Sequence, residues 1–140
     1  MSPMRAERWL VVVFRGVAIA AALAVVPVFM PHGWMDWCHR SMAMGELPEL
    51  PVIVYLTRSL SAMYVFHAGV MWMAASDVRR YAALVTYLAS AMAVFGVVVL
   101  WIDFQAGVPW FWSASEGPMS LGIGLASLYL QRQVRSRTAG

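Results

Sequence analysis

Four apolar stretches divide the chain, and each is long enough to cross a lipid bilayer as one helix: Trp9 to Met30, Pro51 to Ala75, Tyr81 to Ile102, and Pro109 to Leu130. A span needs about 20 apolar residues, at about 1.5 Å rise each, to cover a hydrocarbon core of about 30 Å. Only "SDVRR" separates the second stretch from the third, and only "DFQAG" the third from the fourth. Connections this short force neighbouring helices to run antiparallel. The pattern predicts an all-α, single-domain transmembrane four-helix bundle over residues 1–140, built as two antiparallel hairpins. Composition agrees, since 61% apolar and 12% charged residues lie far from the balance of a soluble domain.

Arginine placement orients the spans. With both termini on the cytoplasmic side, that side holds Arg5, Arg8, Arg79, Arg80, Arg132, Arg135 and Arg137, and the outer loops hold only Arg40. Positive charge is retained on the cytoplasmic side of membrane proteins, so the expectation is a multi-pass protein of a bacterial inner membrane. Trp34, Trp37, Trp101, Trp110 and Trp112 would form the outer aromatic belt, with Trp9 and Trp72 toward the inner one. A cleaved signal peptide is the alternative for the first stretch, where "AIAAALAVV" offers small residues to a peptidase. The sequence pI of 9.5 does not point to nucleic acid, because the arginines follow membrane sidedness instead of forming one binding face.

The longest connection, "PHGWMDWCHRSMAMGELPELP", carries the single cysteine and two of the three histidines. Trp34, Trp37, Cys38, Ser41 and Gly45 recur at helical spacing, with Asp36, His39, Arg40 and Glu46 on other faces. This spacing predicts a short amphipathic helix lying in the head-group region of the first outer loop and ended by Gly45 and Pro48. Cys38, His39 and Met42 are soft ligands of the kind a copper(I) site takes, a weaker reading of the same residues. One cysteine forms no intramolecular disulfide and lacks the paired-cysteine haem motif, and no cofactor is implied.

Charged groups within spans each need a partner, a watery cavity or a route to the interface, because a charge at the bilayer centre costs about 2.5–3.5 kcal/mol. Arg15 lies about 9 Å in from the cytoplasmic side and can snorkel back along its own stem. Arg58 and Glu116 both lie about 10 Å in from the outer side, on different helices. They are candidates for an ion pair, with Asp103 capping the same cluster. The alternatives are a polar pocket open to the outside, in which Arg58 binds an anionic head group or Glu116 carries a proton, or separate snorkelling. His67 falls about 180° around the helix from Arg58 and about 14 Å deeper, so it joins the secondary polar group with Arg15. Pro118, two residues past Glu116, should kink the fourth helix or start it afresh. Small residues at Gly16 and Ala20, Ala89 and Ala93, and Ser120, Gly124 and Ser127 predict close helix packing.

Through "RSLSAMYVFHAG", "SDVRRY" and "WIDFQAGVPWFWSASEGP" the chain resembles a group of small uncharacterised four-span bacterial inner-membrane proteins. In general outline it is also similar to the DoxX-like four-helix proteins. The resemblance covers about half the chain and implies Arg58, His67, Asp77, Asp103 and Glu116 as positions of interest, none of them catalytic. The expected function is an accessory or structural one without enzymatic activity, with the lipid bilayer, another membrane protein or further copies of the chain as partners. The rival is an oligomeric small-molecule or proton transporter, or a lipid-head-group-binding protein, that uses Arg58, Asp103 and Glu116.

Overall fold

A computed structural model describes residues 2–135, so Arg137, counted above on the cytoplasmic side, lies outside the described residues. Helices α1 (Pro3–Ala22), α2 (Val25–Phe29), α3 (His32–Ser41), α4 (Pro51–Ser76), α5 (Ala82–Ala106) and α6 (Trp110–Arg135) follow in order, and the described residues contain no strand. The described parts of Met1–Gly16 and Met71–Gly140 form one unit and Val17–Val70 a second.

The boundaries differ from the apolar stretches in ways that have local causes. The first stretch is two helices, broken at Leu23 and Ala24. Pro27 lacks an N–H and its ring crowds the carbonyl of Leu23, four residues back, so that carbonyl instead accepts the Val26 N–H at 3.1 Å. Asp103 to Ala106, expected in a loop, form the last turn of α5. Gly107 ends that helix with φ 66°, its N–H donating to the Asp103 carbonyl at 3.0 Å. Helix α6 does not start afresh at Pro118 but runs unbroken through it for 26 residues. The helix predicted in the loop ends at Ser41, short of Gly45, and Ala43 takes the turn with φ 56°.

Among the described residues two helical stretches are long and apolar enough to cross a membrane: Pro3–Phe29, made of α1 and α2, and Ala82–Ala106, which is α5. Helices α4 and α6 reach 26 residues each, a length of about 39 Å. Their apolar runs are diluted, α4 by Arg58 and His67 and α6 by Ser113, Ser115, Glu116 and Ser120.

In the first unit α5 and α6 form an antiparallel hairpin joined by Gly107 to Pro109. Their backbones touch along a row of small residues. A Cβ on Gly96 would stand 2.6 Å from the Gly117 carbonyl oxygen, and one on Gly124 would stand 2.5 Å from the Ala93 nitrogen and 2.8 Å from the Ala89 oxygen. Helices approach this closely only where a glycine stands at the crossing, the arrangement that membrane helices favour because lipid supplies no hydrophobic drive to pack larger residues. Ala6, Leu10 and Phe14 on α1, Met71, Ala74 and Ala75 on α4, and Val78, Val85 and Leu88 are also buried in this unit. In the second unit Ala18, Met35 and Ala68 are buried.

Candidate functional site

Arg58 belongs to the Val17–Val70 unit, and Asp103 and Glu116 to the other. On α4, Pro51, Val54, Tyr55, Arg58 and Ser59 fall at the i, i+3, i+4, i+7 and i+8 spacing of one helix stripe. Helical side chains lean toward the N-terminus, so the Arg58 stem points back toward the start of α4. Its Nη2 donates to the Met30 carbonyl at 3.4 Å, just beyond the end of α2. With Glu49 from the preceding loop, the stripe lines a groove of about 510 Å³. The guanidinium thus reaches back toward the start of α4 and is exposed there.

In the other unit, Asp103 is 6% exposed on the face of α5 that meets α6, and its Oδ2 has no hydrogen-bond partner among the described residues. Gly117 meets Leu100 across the hairpin; one turn further along, Asp103 on α5 and Ser113 on α6 are both buried. Glu116 is half-buried beside Gly117.

Arg15 reaches an aromatic partner. Its guanidinium lies 5.4 Å from the centre of the Trp72 ring, a cation–π contact between α1 and the last turns of α4. The spacing of Arg15 could not reveal this, because Trp72 is 57 residues away along the chain (72 − 15). His67 is exposed on α4 and has no hydrogen bond within its own unit. At the same end of the first unit, Arg79 donates to Glu7 Oε2 from Nη2 at 2.7 Å and from Nε at 3.0 Å, tying α1 to the turn after α4. The hydrogen bond and charge of Glu7 raise the Arg79 pKa above its ordinary value.

Helix α3 and the chain after it form a polar clasp. Asp36 accepts the Leu47 N–H at 2.8 Å and the Arg40 Nε–H at 2.8 Å, and Arg40 also pairs with Glu46 at 3.0 Å. The Leu47 amide, more than any other contact, holds the Asp36 carboxyl below its ordinary 3.8. His39 Nδ1 donates to the Gly45 carbonyl at 3.1 Å. These bonds leave Trp34 and Trp37 on the open side, 67% and 70% exposed, while Met35 turns inward. Among the described residues no three His, Cys, Asp or Glu side chains gather where a metal ion could bind, and Cys38 is a half-buried free thiol.

The described residues define an all-helical protein in which two helical stretches are long and apolar enough to cross a membrane. No protein-family model, curated protein or solved structure matches it.

Proposed function

We propose that the chain is a four-span integral protein of a bacterial inner membrane, both termini cytoplasmic, with an accessory or structural role beside another membrane protein or further copies of itself. One observation carries the reading: each of the four long helices exposes large apolar side chains. Trp9, Val12 and Ile19 on α1, Leu60, Met63 and Phe66 on α4, Val94, Val97 and Trp101 on α5, and Met119 and Leu125 on α6 are all more than half exposed. Apolar surface on this scale belongs against lipid or a partner, since soluble monomers expose apolar patches of only a few hundred Å². The outward tryptophans of α3 suit an interfacial helix, whose amphipathic rings settle at head-group level.

Two measurements test the reading. The protein should remain in the membrane pellet after alkaline carbonate washing, and recovery in the supernatant would overturn it. Cys38, the single thiol, should react in intact cells with a membrane-impermeant maleimide. Labelling only after lysis would reverse the orientation.

The groove beside Arg58 favours one second reading, that of a protein which binds a lipid head group.

A further inference from the structure

The groove at the start of α4 carries a cation and an anion that do not neutralise each other. Arg58 and Glu49 both line it. Within the unit, Asp36 and Glu46 are taken by Arg40, so neither is free to serve Arg58. Glu49 is exposed and forms no ion pair there. Of the five N–H donors on the Arg58 guanidinium, the Met30 carbonyl engages one, at the long distance of 3.4 Å. That bond holds the group toward the start of α4 and leaves its remaining donors for an acceptor in the groove. Tyr55 and Ser59 place two hydroxyl groups on the same stripe, and Pro51 and Val54 supply an apolar floor.

An exposed guanidinium within about 10 Å of a helix end meets one abundant anion in a bilayer, the lipid phosphate. Arginine suits it because the planar fork pairs two N–H bonds with two phosphate oxygens. We propose that this groove binds the head group of a phospholipid whose phosphate carries a primary ammonium, as in phosphatidylethanolamine. Arg58 holds the phosphate, with Tyr55 and Ser59 donating to its oxygens. Glu49, on the loop before the helix and so nearer the water, accepts the ammonium. The acyl chains leave past Pro51 and Val54. Glu49 is the residue that sets the lipid class, because its carboxylate would repel a purely anionic head group that Arg58 alone would accept.

The inference rests on the membrane reading above, and carbonate washing tests that reading separately, whatever the lipid preference. The full chain, purified in mild detergent, is mixed with equal amounts of phosphatidylethanolamine and phosphatidylglycerol, and the retained lipid is read by native mass spectrometry. The wild-type protein should retain phosphatidylethanolamine in preference. Arg58→Gln should weaken retention of both lipids about tenfold, the loss of a charge-assisted hydrogen-bonded contact. Glu49→Gln should keep total lipid binding and bring the two lipids within about twofold of each other, since the carboxylate that favours the ammonium is gone and an exposed ion pair is weak. Circular dichroism checks that each variant keeps its helix content. If Arg58→Gln fails to fold without its bond to Met30, the exposed Glu49→Gln variant decides the question alone. Equal retention of the two lipids by the wild-type protein, an unchanged preference in Glu49→Gln, or displacement of the lipid by millimolar inorganic phosphate would each overturn the proposal.

Discussion

Replacing Gly124 by alanine adds one methyl group at the point where α5 and α6 meet backbone to backbone. The new Cβ would stand 2.5 Å from the Ala93 nitrogen, 2.8 Å from the Ala89 oxygen and 2.8 Å from the Ala93 Cα. Carbon contacts are comfortable at about 3.5–4.0 Å, so the helices must separate by about 1 Å locally. All three obstructing atoms are backbone, and no rotamer change relieves them. Overpacking of this kind costs about 1–3 kcal/mol, while alanine returns up to about 1 kcal/mol through its higher helix propensity. Gly122, two residues earlier, provides the control, since a Cβ there has nothing within 4 Å. Both variants share the propensity gain, so their difference isolates the clash. Gly124→Ala should be less stable than Gly122→Ala by about 1–3 kcal/mol. Reversible unfolding by SDS in mixed micelles, followed by circular dichroism, measures both. Stabilities that agree within about 0.5 kcal/mol would refute the close approach of the two helices, because a propensity effect alone predicts equality.

The remaining predictions concern the polar contacts. Trp72→Leu should cost about 0.5–2 kcal/mol in the native background and much less in Arg15→Leu, and additive effects in this double-mutant cycle would dismiss the cation–π contact. Because the folded-state pKa of Asp36 is lowered, its clasp on Leu47 is fully present above pH 3.8 and is lost as pH falls through the lower folded value. The Leu47 amide resonance should therefore titrate with its midpoint below pH 3.8 and lose that transition in Asp36→Asn; a flat titration in the native chain would contradict the assigned bond.

Much of the helical plan can be read from residue order. Apolar length places α4 and α5 within a few residues of their observed starts, and the tryptophan spacing from Trp34 locates α3. Helix ends are harder, because they depend on single residues competing locally. Pro27 breaks a stretch that hydropathy alone joins, and Gly107 lets α5 run a turn further than its charge at Asp103 suggests. Pro118 is the opposite case. A proline removes one hydrogen bond, while the neighbouring turns of α6 retain theirs and pack on α5, so the helix carries through.

The polar residues divide in the same way. That Arg15, Arg58, Asp103 and Glu116 need special surroundings follows from the sequence, because a charge within an apolar run is costly wherever the chain goes. Which surroundings they receive depends on atoms distant in sequence. Trp72 comes to Arg15 and the Met30 carbonyl to Arg58, and α6 packs beside Asp103. Ala89, Ala93 and Gly124 were recognisable as small residues at helical spacing, but spacing identifies a face and not what lies opposite it. Only the packed hairpin shows that Gly96 and Gly117 meet each other, because contact between two helices is set by their register, which neither helix carries in its own periodicity.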